Sequence, residues 1–187
     1  NGQLGKKQLE SLLVTEWGDF EILTNTAKAT DERVRSFTGK NENELADEAA
    51  GEFLVFLAED LAPTQNTWLK EAMNFVRLPH TGAVAGKVIS KDDAILNCGV
   101  IIDPANERII YEQQGLSNKT IGTYFRPALP REIYTATEDA LILRKEDFLA
   151  LGGFDLNLPA AITGIDFSIR LAQKNKKLIF DPYFEVR

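Results

Sequence analysis

A run of five apolar residues, Phe53-Leu54-Val55-Phe56-Leu57, constrains the fold of this chain more than any other feature of its sequence. The run shows no alternation of apolar and polar residues. It therefore predicts a β-strand that is buried on both faces, as in a parallel sheet. Gly51 precedes it and the polar pair Glu59-Asp60 follows it. A sheet with both faces covered needs helices on both sides, so the run favours an α/β protein.

The pattern along the rest of the chain agrees with this class. Hydrophobic spacing and turn residues predict helices over 9–17, 30–37, 43–50, 63–76, 145–151 and 163–174, and strands over 20–24, 82–90, 95–102, 108–112, 133–143 and 178–180. Segment 114–132 is predicted to be a loop. Helices and strands alternate in the first half, and strands cluster in the middle. We therefore expect an open mixed sheet, mainly parallel, with an antiparallel annex and helices on both faces.

Composition and charge exclude several classes of partner and of active site. The chain has 187 residues, 44% of them hydrophobic, which suffices for a single domain over 1–187. A formal net charge of -7 provides no basic footprint, so we expect no nucleic-acid partner. The single cysteine, Cys98, is expected to be a buried structural thiol. With His80 as the only histidine, a histidine-based metal site or a Ser-His-Asp triad is disfavoured.

The chain also contains no candidate membrane span. Its longest strongly apolar run, Phe53 to Ala58, has six residues, far fewer than a bilayer requires. We therefore expect a cytoplasmic protein, with any membrane association provided by parts outside this chain.

Polar residues follow two of the predicted strands. Thr24-Asn25-Thr26 comes after the first strand, and Glu59-Asp60 comes after the apolar run. Ligands of open α/β sheets bind beyond the carboxyl ends of strands. Adjacent carboxylates at such an end can hold Mg²⁺ or Mn²⁺, which can bridge to a diphosphate. The alternative is that Glu59 and Asp60 solvate the loop and cap the helix after Pro63.

Segment 51–61, from Gly51 to Leu61, resembles the G-E-Y-L-L-F-L-D-x-D motif of family 2 glycosyltransferases, especially of their rhamnosyltransferase-like group. The resemblance covers nearly the whole chain in order. It continues through Leu9 to Leu13, Phe20 to Leu23, Asn43, Trp68-Leu69, Thr81 to Lys87, Asn97 to Val100, Leu143 to Phe148, Gly152-Gly153-Phe154-Asp155, Ile165 to Leu171 and Asp181-Pro182-Tyr183.

The resemblance implies a GT-A fold that takes a nucleotide-diphospho-sugar as donor and a glycan as acceptor. In that family the D-x-D carboxylates hold a divalent cation, and a later carboxylate acts as the base of an inverting transfer. Carried over by position, these roles fall on the following residues: donor binding on Thr24, Asn25, Asn43, Glu59 and Asp60, metal binding on Asp60 and Glu59, and catalysis on Asp166.

Three positions depart from the family pattern. Thr24 stands where the family has an aspartate for the nucleotide base, Ala58 replaces the first carboxylate of D-x-D, and Gly164 falls at the usual base position. Glu138 and Asp139 lie where the family has small residues near the donor sugar. We hypothesise that this pair supplies the lost charge as further catalytic residues.

Alternatives to these readings remain open at this point. Glu138 and Asp139 can instead form a salt bridge with Arg131 or Arg144. For the whole chain, the alternative to an inverting transferase is a catalytically degenerate binding or scaffold module in polysaccharide assembly. A receiver-like module that uses Asp60 is disfavoured by the later motifs. The family's first strand is expected to precede residue 1 in a longer protein, and its third strand, expected between Thr38 and Gly51, is absent or very short.

Overall fold

The computed structural model describes residues 5–25 and 31–187. The helices are α1 (Lys6–Leu13), α2 (Glu42–Glu48), α3 (Trp68–Val76), α4 (Lys145–Ala150) and α5 (Ala160–Gln173). The strands are β1 (Ile22–Thr24), β2 (Val34–Ser36), β3 (Phe53–Leu57), β4 (Thr81–Ile89), β5 (Ile95–Asn97), β6 (Val100–Asp103), β7 (Arg108–Tyr111), β8 (Arg131–Ile133), β9 (Ala140–Arg144) and β10 (Lys177–Val186). Two 3₁₀ turns lie at Pro104–Asn106 and Thr123–Phe125.

The main sheet has the order β3-β9-β4-β10-β8, with β5 paired to β4. β1 and β2 form a separate parallel pair, and β6 and β7 form an antiparallel ribbon. The sheet is mixed, as expected. Among the described residues, however, only β1–β2 and β4–β10 pair in parallel, so antiparallel pairs outnumber parallel ones, contrary to the expectation of a mainly parallel sheet.

The position of β3 differs from the one predicted. Its bounds are those of the apolar run. Within the described part of the chain, however, it pairs only with β9, in antiparallel orientation, with Val55 opposite Ile142. Phe53, Val55 and Phe56 are therefore only half-buried. The strand that is buried at every residue is β4, because β9 and β10 flank it and helices cover both its faces.

Helices cover both faces of the sheet, as predicted. On one face α1 and α3 contribute Leu12, Trp68 and Val76 to a core that includes Ile142 and Phe184. On the other face α4 and α5 contribute to a second core, in which rings of Phe56, Phe148, Phe154 and Phe167 pack with centroids 4.7–5.4 Å apart. Phe56 of β3 and Phe167 of α5 both pack in this second core, so the end of β3 and the first turns of α5 lie on the same side of the sheet, where they border the candidate site.

The helix predicted over 30–37 is wrong for the residues described, 31–37. Val34–Ser36 is the strand β2, whose Val34 pairs with Ile22 of β1. Val34 is buried between two half-exposed arginines that pair with acids, Arg33 with Asp31 at 2.9 Å and Arg35 with Glu21 at 2.8 Å. A three-residue strand with one buried residue has too little hydrophobic pattern to be told from a polar helix. Thr26 lies outside the described residues.

Other elements begin or end a few residues away from the bounds predicted from the sequence. α3 begins at Trp68 rather than at Pro63, which instead forms an isolated bridge with Val186. The extended stretch predicted over 133–143 is divided between β8 and β9, and the last strand runs on to Val186. Among the described residues, no helix combines the length and the apolar content needed to cross a bilayer.

Candidate functional site

The acidic segment Glu138-Asp139 connects the end of β3 to the first turns of α5. The backbone N–H of Ala58 donates a hydrogen bond to the Asp139 carbonyl at 2.9 Å. The backbone N–H of Gly164 donates to Glu138 Oε2 at 2.8 Å. The segment therefore touches two of the three positions, Ala58 and Gly164, at which this sequence lacks a carboxylate expected from the resemblance.

Close packing explains why residue 164 is a glycine. A Cβ atom on Gly164 would lie 2.3 Å from the Glu138 backbone nitrogen and 2.6 Å from Glu138 Oε2. Both distances are far shorter than any real carbon contact, so a side chain here would push α5 away from the segment. The Glu138 carboxylate thus occupies the space into which a residue-164 side chain would extend.

The Glu138 carboxyl group is electrostatically perturbed. Burial raises its pKa above the ordinary value, and the nearby Asp139 and Glu42 raise it further, while hydrogen bonds from backbone N–H groups, that of Gly164 among them, oppose the rise. A carboxyl group whose pKa is raised is a better proton acceptor than an ordinary glutamate. Glu42, the first residue of α2, was not recognised from the sequence, since only the tertiary fold brings it near Glu138.

The Asp139 carboxylate is held locally. Its Oδ2 accepts a hydrogen bond from Thr137 Oγ1 at 2.7 Å, and Thr137 in turn accepts one from Asn97 Nδ2 at 2.9 Å. The predicted alternative, a salt bridge from this acidic pair to Arg131 or Arg144, is wrong. The two arginines pair with other acids: Arg131 with Glu112 at 3.1 Å and Arg144 with Glu52 at 2.9 Å.

Three of the predicted donor-binding residues line one cavity of about 900 Å³ between β1 and β3, namely Thr24, Asn25 and Glu59. Thr24 is buried at the end of β1. The Asn25 side chain is held by the backbone of Lys40, which accepts from its Nδ2 and donates to its Oδ1.

Glu59 and Asp60 are exposed in the turn after β3. Thr67, not one of these acids, is the N-cap residue of α3. The alternative that they cap this helix is therefore not supported.

Asn43 and Asp166 line a second cavity, of about 530 Å³. Both side chains have structural partners. Asn43 Nδ2 donates to the Phe154 carbonyl at 2.8 Å and its Oδ1 accepts from the Phe154 N–H at 2.9 Å. Asp166 forms an ion pair with Arg170 at 2.7 Å. The contacts of Asn43 join α2 to the segment that follows α4, whereas the Asp166–Arg170 pair lies within α5.

Arg170 is a residue that the sequence reading missed. Its Nη1 donates to the carbonyls of Leu151 and Gly153 at 2.8 and 2.9 Å, so it closes the C-terminal end of α4. The signal was available as an acid and an arginine four residues apart on one helix. In this arrangement Asp166 orients Arg170, and it lies on the side of α5 away from Gly164, because two residues turn a helix by about 200°.

The described residues provide only some of the ligands that a metal ion requires. Among the described residues, no three His, Cys, Asp or Glu side chains come together as a metal-binding group. Glu59 and Asp60 offer two adjacent exposed carboxylates. Mg²⁺ commonly binds through one or two carboxylates and completes its shell with substrate phosphates and water, so the donor set fits a cation carried with a diphosphate.

Comparison with solved structures identifies the architecture. The structure of GalNAc-T7 with UDP, GalNAc and Mn²⁺ superposes with a TM-score of 0.59 at 16% identity, over 82% of this chain and 32% of that one. The mannosyltransferase PcManGT from Pyrobaculum calidifontis, in complex with GDP-Man and Mn²⁺, gives a TM-score of 0.61 at 13% identity, over 100% of this chain and 53% of that one. The chain has the GT-A fold. At these identities the likeness concerns the fold alone.

Curated relatives of this GT-A chain are much longer proteins. It is 27% identical over 138 residues to the O-antigen biosynthesis protein RfbC of Myxococcus xanthus, covering 73% of this chain and 11% of the relative. It is 22% identical over 192 residues to the uncharacterised protein y4gI of Sinorhizobium fredii, covering 94% of this chain and 20% of that protein. No protein-family model matches the chain. These likenesses cover only a small part of each relative, and they leave the function and the individual site residues as predictions.

Proposed function

We propose that this GT-A domain transfers a sugar from a nucleotide-diphospho-sugar to a saccharide acceptor in polysaccharide biosynthesis, with inversion, and that Glu138 is its base. We place it in the rhamnosyltransferase-like group of family 2. The observation that carries the proposal is the contact of the Glu138-Asp139 segment with both Ala58 and Gly164. The structural neighbours bound to UDP and to GDP-Man support the class of donor.

The proposed reaction is a single displacement. The acceptor hydroxyl oxygen forms a bond to the anomeric carbon from the face opposite the nucleotide. The bond to the diphosphate oxygen breaks, and its electron pair leaves with the nucleoside diphosphate. The hydroxyl proton passes to the Glu138 carboxylate, whose pKa is raised by burial and which the Gly164 N–H holds in place.

The remaining predicted residues serve the donor. Thr24 and Asn25 border the nucleotide end of the cavity, and Asp139 lies beside the end of β3. Glu59 and Asp60 are the proposed metal ligands, and a bound Mg²⁺ or Mn²⁺ would neutralise charge that develops on the diphosphate. We rank Asp166 behind Glu138 as a base because its carboxylate is engaged by Arg170.

A second candidate function follows from a specific observation. Two positions that carry chemistry in the resembling family are structural here: Asn43 holds Phe154 and Asp166 holds Arg170. A domain in which these residues only maintain the fold can bind a saccharide or a partner protein within a larger assembly without catalysing transfer. This is the catalytically degenerate module.

Calorimetry with UDP and GDP, each with and without Mn²⁺, separates the two functions. Binding that strengthens with Mn²⁺ supports the transferase, and absence of binding to every nucleotide supports the degenerate module. Release of nucleoside diphosphate from UDP- and GDP-sugars with a saccharide acceptor then measures turnover. The anomeric configuration of the product, read by NMR, tests inversion.

Substitution of the base tests the residue assignment. We expect Glu138→Gln to lower the turnover rate by about 10²–10⁴-fold, the usual contribution of a general base, while donor affinity changes little. Glu132→Gln is the matched control, because Glu132 is exposed and pairs only with Lys177 in the described structure. If Asp166→Asn abolishes turnover and Glu138→Gln does not, the assignment of the base is wrong.

A further inference from the structure

A buried glutamine side chain distinguishes α1 from an ordinary amphipathic helix. Of the eight residues of α1, only Gln8 and Leu12 are buried, and Gln8 is 5% exposed. Burial of an amide group is unfavourable unless its polar atoms form hydrogen bonds. The Nε2 group of Gln8 donates to the carbonyl oxygen of Ala58 at 2.8 Å and to that of Leu61 at 2.6 Å. Gln8 therefore connects α1 to the turn that follows β3.

The orientation of the Gln8 amide group follows from these two hydrogen bonds. Nε2 carries two hydrogen atoms, one for each carbonyl oxygen. With the amide reversed, Oε1 would face two other acceptors, and both hydrogen bonds would become repulsive contacts. Oε1 itself has no donor among residues 5–25 and 31–187. Gln8 thus acts on the turn as a double donor.

The two carbonyl groups that Gln8 binds lie at the two ends of one turn. Ala58 and Leu61 flank the Glu59-Asp60 pair, and the Leu61 N–H donates to the Ala58 carbonyl at 3.0 Å. The Gln8 side chain and this backbone bond therefore hold the same two residues from different directions. Glu59 and Asp60 are exposed, so the direction in which their carboxylates point depends on the shape of this turn.

The chain on either side of the turn is fixed independently of Gln8. Before the turn, the Ala58 N–H donates to the Asp139 carbonyl at 2.9 Å. After it, Ala62 exchanges two backbone hydrogen bonds with Arg187, at 2.9 and 2.8 Å. Loss of the hydrogen bonds from Gln8 is therefore expected to loosen the turn locally, without detaching the segments that lead into and out of it.

We infer that Gln8 is a positioning residue for the donor's cation: by binding Ala58 and Leu61 it fixes the turn from which Glu59 and Asp60 reach the metal. The inference rests on the proposed function, which makes these two acids the metal ligands. The Gln8 amide is neutral and acts through the geometry of the turn. Groups that orient metal ligands in this way typically contribute 10–100-fold to metal affinity.

Hydrogen exchange tests whether Gln8 holds the turn. Gln8→Met removes both hydrogen bonds and keeps an unbranched side chain of similar length. We expect the Leu61 amide, whose hydrogen bond closes the turn, to exchange at least about tenfold faster in the variant than in the parent. The amides of β4, which is buried throughout, serve as the internal reference. Equal exchange of the Leu61 amide in the two proteins, with β4 equally protected, overturns the inference.

Calorimetric titration with Mn²⁺, at a fixed concentration of UDP or of GDP, tests the consequence for the metal ligands. We expect the Mn²⁺ affinity of Gln8→Met to be about 10–100-fold lower than that of the parent, while nucleotide binding without Mn²⁺ changes little. Thr15→Val is the matched control. It removes a buried acceptor, the one that binds Trp68 Nε1 at 2.9 Å, from the same cavity and leaves the turn untouched. Its Mn²⁺ affinity should equal that of the parent, even where urea unfolding shows a similar loss of stability in both variants.

Failure of this inference and failure of the proposed function give different results. If nucleotide binding by the parent does not strengthen with Mn²⁺, the proposed metal site is wrong, and so is the role of Gln8. If the parent responds to Mn²⁺ and Gln8→Met binds it with the same affinity, the proposed function stands and the inference is wrong. A loss of Mn²⁺ affinity that Thr15→Val shows equally would assign the effect to stability and would also overturn the inference.

Discussion

Asp181 is a carboxyl group that the fold buries without full compensation. It has 0% of its surface exposed, its Oδ1 accepts a hydrogen bond from the Tyr183 N–H at 3.0 Å, and its Oδ2 has no partner among the described residues. Burial raises its pKa from the ordinary 3.8 to about 6, and the charge of Glu71 adds to the rise, against the opposing charge of Lys87. The native state therefore binds this proton more tightly than the unfolded state does.

The sign and size of the effect follow from linkage. Between about pH 4 and pH 6 the unfolded state carries fewer protons at this site than the native state, so the free energy of unfolding falls as pH rises. A pKa raised from 3.8 to about 6 corresponds to about 3 kcal/mol, lost between low pH and pH values above 6. About 2 kcal/mol of this lies between about pH 4.5 and about pH 7.5.

Asp181→Asn removes the titration and keeps an acceptor for the Tyr183 N–H. We expect the stability of the variant relative to the parent to improve by about 2 kcal/mol between about pH 4.5 and about pH 7.5. Urea unfolding of both proteins at the two pH values measures this, and taking the difference cancels the other titrating groups. Asp92→Asn, at an exposed site, removes the same formal charge and is the control.

A relative stability that is the same at both pH values would refute this reasoning. It would mean that the Asp181 carboxyl is hydrated or paired in solution. An Asp92→Asn variant with the same pH dependence as Asp181→Asn would refute it in another way, by showing that net charge rather than burial is responsible.

Three further predictions rest on single contacts. Gly164→Ala forces a Cβ against the Glu138 backbone and should lower the free energy of unfolding by about 1–3 kcal/mol, measured in urea. Asn43→Ala leaves both backbone groups of Phe154 unpaired and should cost a similar amount, about 1–3 kcal/mol, whereas a change within error would show that water replaces the amide. Cys98, whose pKa burial raises to about 11, should resist iodoacetamide at pH 8 in the native protein and react once unfolded.

The sequence predicted those parts of the fold that carry strong hydrophobic patterns. β3 was placed with its observed bounds, and α4 and α5 to within a few residues, because each has a long or dense apolar pattern. β2 was missed because only Val34 of its three residues is buried. The antiparallel setting of β3 was missed because an apolar run shows burial but not strand direction.

The sequence indicated candidate residues for the site but not the contacts that these residues make. Glu138 and Asp139 were found from sequence as an acidic pair at an unusual place, but their contacts with Gly164 and Ala58 join positions far apart in the chain. The engagement of Asn43 by Phe154 spans 111 residues and has no local signature. Tertiary contacts of this kind decide whether a polar residue binds a ligand or holds the fold.

The shared volume at Gly164 and Glu138 limits the order in which these two positions can change during evolution. A carboxylate fits at one of them at a time, because a side chain at 164 collides with the backbone and carboxylate at 138. Gly164→Asp alone is therefore expected to be deleterious, and to become tolerable only after the loop around residue 138 has been shortened or shifted. A variant of this domain with an acid at 164 therefore requires coordinated replacements around residue 138.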